Sequence, residues 1–332
     1  MYPILEYEVS HNKLDPDISA ETSKEYQWLQ KQPFWCRDTK LHLEDPDNYH
    51  LKGCCFNHSI GLPQHPADKK PMPLTPYQVD FTDKVMEARR KANLLTPPGP
   101  VKIHLNKGRQ MGFTEIVLRY QFYQVFHGYA GWKIGIIAAT NGKLAYKNLR
   151  RFHHLTKRIP WILEDKFRGT TLSFVNGTTA EAFPATEEAI TGDTKYACIL
   201  MDEAAKWRTL DDLPIFNSII PIINTNAADL FLVSTPKGKR KMFYAIEKDP
   251  GEYIKLKYDI WEAMGNMYTR QQIEKILTQS KEDPDQEYLC KFTEGRNAVF
   301  GDITSEMRDD DLFEWGEEPI QVDTGGGDSN GF

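Results

Sequence analysis

Four short and almost continuous apolar runs punctuate the chain: Val101–Leu105, Trp132–Ala139 (WKIGIIAA), Tyr196–Met201 (YACILM) and Asp229–Val233 (DLFLV). Runs of this length read as strands buried on both faces of a parallel sheet. Helical periods separate them. Phe81, Val85 and Met86 share one face of a helix running from Tyr77 to about Lys91, entered through the proline-rich MPLTP. Asn141–Arg158 is a second helical stretch, and its polar face is basic, with Lys143, Lys147, Arg150, Arg151, Lys157 and Arg158. Leu172–Val175 and Thr178–Phe183 flank Asn176-Gly177, a pair suited to a type I′ turn, so a hairpin is predicted there. Glu252–Trp261 alternates like a half-buried strand, Thr269–Ser280 is helical, and Asp283–Phe292 opens another helix with Pro284 in its first turn. Strands alternating with helices predict an α/β fold with a parallel sheet covered on both faces.

Composition narrows the class. The 332 residues suffice for one large domain or two ordinary ones, and 40% apolar residues allow a substantial core. No apolar run is long enough to span a membrane, and the start MYPILEYEVSHNKLD lacks a secretory pattern. Five unevenly spread cysteines argue against a disulfide scaffold and fit a reducing cytoplasm. The net charge of −6 means that any nucleic-acid contact rests on local basic patches.

The chemistry gathers around Val101–Leu118, VKIHLNKGRQMGFTEIVL. A strand, a Gly-bearing loop and a helix follow one another, the layout of a phosphate-binding loop. Gly112 and Thr114 hold the second-glycine and hydroxyl positions of that motif, but Phe113 stands where the lysine is usual and Lys107 where the first glycine is usual. The strand at 196–201 runs directly into Asp202-Glu203-Ala204-Ala205. Acidic groups at the C-terminal end of a buried strand lie where open α/β sheets bind ligands; an Asp there can hold Mg²⁺ and a Glu can take a proton from water. Ser234 and Thr235, in STPKG, end the fourth strand, followed by Lys237, Lys239, Arg240 and Lys241. Gln78 precedes the loop, and its amide suits an adenine edge. Upstream, Cys36, Cys54 or Cys55, His58 and His65 offer a zinc set with Cys55-x-x-His58 spacing. Adjacent cysteines and the lack of a second close pair favour instead an extended arm with scattered cysteines.

Taken together, Tyr77-Gln78, Gly108-Arg109-Gln110-Met111-Gly112 with Thr114, Asp202-Glu203-Ala204-Ala205 and Ser234–Gly238 resemble the ATPase part of the large terminase subunits of tailed viruses, over roughly residues 70–300. The resemblance implies an ASCE-type P-loop NTPase sheet, with ATP and Mg²⁺ as cofactors. It also implies double-stranded DNA, a portal protein and a small terminase subunit as partners, a homo-oligomeric ring when active, and the host cytoplasm as location. By the same resemblance, Gln78, Gly108, Gln110, Met111, Gly112, Phe113 and Thr114 contact ATP. Thr114 and Asp202 hold Mg²⁺, Glu203 activates water, Arg109 responds to the γ-phosphate, and Ser234 and Thr235 couple hydrolysis to movement. One branch of the family places its lysine at the loop start with an aromatic after the second glycine, as Lys107 and Phe113 are placed here, which makes Lys107 catalytic.

The expected organisation is an irregular N-terminal arm over 1–66, a P-loop core over 67–245, a small C-terminal subdomain or linker over 246–315, and a tail over 316–332. Ile320–Val322 ending in Asp323 resembles the first strand of a ribonuclease-H-type nuclease. Two-metal cleavage needs several converging carboxylates, so no nuclease activity is expected from this chain. Two rivals stand beside the packaging motor: a helicase-like motor, and a degenerate ATPase that serves as a binding subunit.

Overall fold

A computed structural model describes residues 20–36, 53–65, 70–138, 143–164, 167, 169–186, 195–207 and 212–294, with side chains from Lys24 onward. Asp323 and the tail over 316–332 lie outside these residues. Val101–Lys107 (β1), Lys133–Ala138 (β2), Thr171–Ser173 (β3), Thr179–Phe183 (β4), Tyr196–Asp202 (β5), Asp229–Ser234 (β6) and Ile254–Tyr258 (β7) form one sheet in the order β3-β4-β2-β5-β6-β1-β7. All neighbours are parallel except the β3–β4 hairpin. Every residue of β1 and β6 is buried, which is why both read as apolar runs.

Helices cover both faces. Pro76–Asn93 (α3), Phe113–His127 (α4) and Lys143–His154 (α5) bury their apolar sides in one core, which includes Phe81, Phe113, Phe122, Phe152 and Phe231. Leu213–Asn226 (α6) and Lys241–Lys248 (α7) cover the other face through Ile219, Ile223, Phe243 and Ile246. A buried ion pair from Arg89 on α3 to Asp229 on β6 ties helix to sheet, and the hydroxyl of Tyr129 donates to the same carboxylate. No described helix is long and apolar enough to cross a membrane.

The register sets up the site. β1 pairs with β6 from Val101↔Asp229 to Asn106↔Ser234, and β5 pairs with β6 up to Asp202↔Val233. Lys107, Ser234 and Asp202 therefore end three adjacent parallel strands on one edge, where such sheets bind ligands.

The structure revises three local expectations. β7 pairs with β1 from Ile103↔Ile254 to Lys107↔Tyr258, so the core sheet continues past the boundary expected at 245. The hairpin is not closed by a type I′ turn: of Asn176 and Gly177, only Gly177 has positive φ, at 79°. A type I′ turn needs both, and the Asn176 side chain is instead buried, donating to the Val125 carbonyl at 2.7 Å. Within the stretch read as an irregular arm, Ala20–Gln30 (α1) and Phe56–Ser59 (α2) are helical. Both dock on α4 through aromatic pairs, Tyr26–Phe126 at 5.2 Å and Phe56–Tyr123 at 5.2 Å. Few apolar residues carry that docking, so α1 has no clear apolar periodicity. Downstream, Arg270–Gln279 (α8) starts at a Thr269 cap, and Pro284–Glu287 (α9) is a single turn.

Candidate functional site

The loop between β1 and α4 folds tightly because Gln110 and Gly112 both take positive φ, 61° and 76°. The backbone angle favours glycine at 112, and a Cβ there would lie 2.7 Å from the Gln78 amide nitrogen and displace it. Gly112 caps α4 without a side-chain partner, leaving the first N–H groups of a 15-residue helix aimed into the loop. Together with the positive helix end, they suit an anion.

Five side chains meet beside this loop. The Lys107 Nζ donates to Glu203 Oε1 at 2.8 Å. The Thr114 hydroxyl donates to Asp202 Oδ1 at 2.9 Å, and Asn148 Nδ2 on α5 donates to Asp202 Oδ2 at 2.7 Å. Glu203 has left-handed backbone, φ 52°. Among the described residues its Oε2 accepts no hydrogen bond, although Lys206 Nζ lies 3.7 Å away. Burial opposes its charge, but Lys107 and Lys206 together hold its carboxyl below the usual range. Asp202 moves the other way: burial, then the neighbouring Glu203 charge, raises it, against Lys107, Asn148 and Thr114. The adjacent carboxylates are thus driven apart, the lysines favouring the anion of Glu203 and burial favouring the neutral form of Asp202.

Arg109 turns from this group toward the C-terminal segment. Its Nη1 lies 2.8 Å from Glu282 and 3.6 Å from Glu287, and its backbone N–H donates to the Glu287 carbonyl at 2.7 Å. The buried Glu287 carboxylate also accepts from Lys206 Nζ at 2.8 Å and lies 3.5 Å from the Thr235 hydroxyl. Ser234 accepts from the Ala205 N–H at 3.2 Å, joining the end of β6 to the turn after Glu203. Ser234 and Thr235 are fully buried behind the loop.

Two residues expected to contact ATP have other work here. Both ends of the Gln78 amide are engaged: Oε1 accepts from the Thr75 N–H at 3.1 Å, and Nε2 donates to the Met111 carbonyl at 3.1 Å. Gln78 thereby caps α3 and holds the loop; reading an adenine edge would require one of these bonds to open. The Phe113 ring is buried against Tyr77, Phe81 and Tyr258 at 5.5, 5.4 and 5.0 Å, so only its backbone is left to face an anion.

A cavity of about 1180 Å³ opens over the loop and takes in Gln78, Lys107, Arg109, Thr114, Asp202 and Glu203. Lys147, Arg151, Lys157 and Arg158 also line it. Asn148, Lys206 and Glu287 are site residues that sequence reasoning missed. Asn148 sits four positions before Phe152 on the buried side of a basic helix, and only its distance from Asp202 reveals a role. Glu287 lies in a short DPDQE turn without motif character.

The zinc set rearranges. Cys36, Cys54 and Cys55 bring their sulfurs within 4.8 Å of one another, with His58 Nδ1 3.4 Å from Cys54 Sγ. His65 is not in this group; its backbone N–H closes a turn to Lys70 at 2.8 Å.

A mostly parallel seven-stranded sheet, with a phosphate-type loop after β1 and an acidic pair after β5, defines a mixed α/β protein of P-loop type. No protein-family model matches the sequence, and no curated protein does. Among solved structures, the chain is similar to large terminase ATPase domains of phages. The Thermus phage P74-26 large terminase ATPase domain is 17% identical, with a TM-score of 0.46 over 64% of this chain and 98% of that one. The large terminase from the thermophilic bacteriophage D6E is 18% identical, with a TM-score of 0.49 over 67% of this chain and 53% of that one. The HK97 bacteriophage large terminase is 14% identical, with a TM-score of 0.48 over 67% and 51%. This chain thus spans about half the length of the latter two proteins.

Proposed function

We propose that the chain is the ATPase part of a DNA-packaging motor, hydrolysing ATP to drive double-stranded DNA into a viral capsid. One observation carries the reading. A lysine at the loop start, a hydroxyl–carboxylate pair and a second carboxylate converge at one cavity: Lys107 on Glu203 at 2.8 Å, and Thr114 on Asp202 at 2.9 Å. Phosphoryl transfer depends on positioning and charge stabilisation, which these groups can supply.

The loop N–H groups and Lys107 bind the phosphates. Lys107 sits at the end of a buried strand, and its flexible stem can leave Glu203 for a phosphate oxygen. That departure frees Glu203, which orients the attacking water and accepts its proton. Thr114 and Asp202 are hard oxygen donors already in contact, a set that fits Mg²⁺. Held by these two residues, the ion would neutralise charge on the phosphates of ATP. Arg109 leaves Glu282 to meet the γ-phosphate, and Ser234 and Thr235 pass the change on through the turn after Glu203 and through Glu287. The core of this motor runs from about residue 67 through β7, with the arm before it and the linker and nuclease-like tail after it. The portal, a small terminase subunit and further copies in a ring are its partners, in the host cytoplasm.

ATP hydrolysis by the purified chain, with and without double-stranded DNA, tests the reading. Lys107→Ala is expected to abolish hydrolysis with its circular dichroism unchanged. Glu203→Gln is expected to keep ATP binding and lower turnover by roughly 10²–10⁴, the range for losing a general base. Normal hydrolysis by Lys107→Ala would remove the early-lysine assignment. A wild type that neither binds nor hydrolyses ATP would leave the degenerate-ATPase reading in its place.

A further inference from the structure

We infer that Cys36, Cys54, Cys55 and His58 form a structural zinc site that clamps the N-terminal segment onto the wall of the cavity over the loop between β1 and α4. The inference is independent of the proposed function.

Zinc binds thiolates at about 2.3 Å in a tetrahedron, which sets ligand sulfurs about 3.8 Å apart and a sulfur and a nitrogen about 3.5 Å apart. The Cys36 and Cys54 sulfurs are 3.1 Å apart, and all three sulfurs lie within 4.8 Å of one another. His58 Nδ1, 3.4 Å from Cys54 Sγ, is already at ligand spacing from one of them. Completing the fourth vertex requires the imidazole to turn toward the other two. Three thiols gathered this closely, two half-buried and one buried, offer one cation a ready set of sulfur donors. Cys198 and Cys290, by contrast, are buried singly in the core.

The position gives the ion its task. Cys36 and Cys54 are eighteen positions apart, and a shared metal would join segment 33–36 to segment 53–59. Protein contacts already begin this join: Phe56 N–H donates to the Pro33 carbonyl at 2.9 Å, and Asn57 Nδ2 to the Phe34 carbonyl at 2.7 Å. A metal that binds the folded arrangement and not the unfolded chain would add its binding free energy to the join. The joined segment then runs straight into the cavity wall at His58, Ile60 and Gly61. Arg119 donates to the Gly61 carbonyl at 2.8 Å and pairs with Glu115 at 3.0 Å, the residue after Thr114. A clamp at the cysteines therefore steadies the same wall that the phosphate loop leans on.

Metal analysis of the full chain, expressed with zinc and purified under reducing conditions, is expected to find about one zinc per chain. Cys54→Ser and Cys55→Ser should lose it and become more sensitive to trypsin before residue 65; Cys198→Ser should keep it. Because the ligand variants can misfold, the wild type is also stripped with a chelator and reloaded with Co²⁺. Thiolate-to-cobalt charge transfer and strong tetrahedral visible bands are expected. His58→Cys should keep the metal and shift those bands as a fourth thiolate enters. Three results would overturn the inference: no zinc and no tetrahedral cobalt spectrum; a Cys36–Cys54 disulfide in the reduced preparation; or metal retained when Cys36, Cys54 and Cys55 are all replaced. An unchanged cobalt spectrum in His58→Cys would overturn the histidine's place in the set.

Discussion

A residue that breaks a motif can still be explained by where its side chain goes. Phe113 occupies the position where a phosphate loop usually carries its lysine, yet its ring is enclosed by Tyr77, Phe81 and Tyr258. It anchors the first turn of α4 to the core, while Lys107 at the strand end places a cation beside the loop. Phe113→Ala is accordingly expected to act on stability, costing about 3–5 kcal/mol, the range for deleting a buried phenyl ring. Urea unfolding measures it. At protein concentrations and temperatures where the variant stays folded, its ATP affinity should fall far less than that of Lys107→Ala. A variant as stable as wild type that cannot bind ATP would mean that the ring itself serves the nucleotide.

At the scale of elements, β1 illustrates how buried polar groups are handled. His104 is fully buried, its Nε2 is 2.9 Å from the Phe243 carbonyl, and its ring lies 4.1 Å from that of Phe243 on α7. Glu247 is 3.6 Å from Nδ1, but Lys255 pairs with that carboxylate at 3.2 Å. Burial therefore prevails, with Lys255 adding to it, and lowers the His104 pKa to about 4. A histidine whose folded pKa lies below its unfolded value, about 6.5, contributes fully above that value. The contribution is lost as pH falls from about 6.5 toward 4, at up to about 1.4 kcal/mol per pH unit. Unfolding free energies of wild type and His104→Gln, compared at several pH values in that window, should converge on acidification. Parallel curves would show that His104 does not titrate this way.

The same scale shows why some elements were legible and others were not. β1, β2, β5 and β6 are buried on both faces, so their apolar runs alone marked them. The helix starts predicted at Thr269 and Asp283 are where the structure has them, and both side chains accept backbone bonds there. The turn at Asn176-Gly177 misled because the asparagine serves a distant carbonyl at Val125, a contact no local pattern contains. The membership of β7 in the sheet is likewise a long-range pairing. In the site, residues carried by local motifs were found from the sequence, among them Lys107, Thr114, Asp202 and Glu203. Asn148 and Glu287 reach it from helices whose own patterns say nothing of it.

For the whole molecule, a net charge of −6 must be reconciled with the proposed polyanionic track. Lys147, Arg151, Lys157 and Arg158 line the cavity, although Arg151 is partly engaged by Glu115 at 3.0 Å. Lys239 on the opposite motif is paired with Glu294 at 2.7 Å. DNA binding is therefore expected to be weak, indifferent to sequence and steeply lowered by salt, through counterion release. Fluorescence anisotropy with two unrelated duplexes over a salt series checks this. Replacing Lys147 and Lys157 together should flatten the log–log slope by about one per lost phosphate contact. Salt-independent binding, or a preference for one duplex, would count against the DNA reading.

Glu287 carries a consequence that reaches beyond the catalytic groups. One buried carboxylate borders the phosphate loop through Arg109, the turn after Glu203 through Lys206, and the end of β6 through Thr235. Its partners compete for a single negative charge in a poorly screened place, so drawing one away strengthens the hold on the others. Thermodynamic linkage makes such an effect mutual: if an anion in the loop that recruits Arg109 tightens the grip on Lys206 and Thr235, then a force that loosens that grip must weaken the anion's binding by the same free energy. Mechanical load on the chain after residue 287 and occupancy of the loop would thus be two readings of one equilibrium.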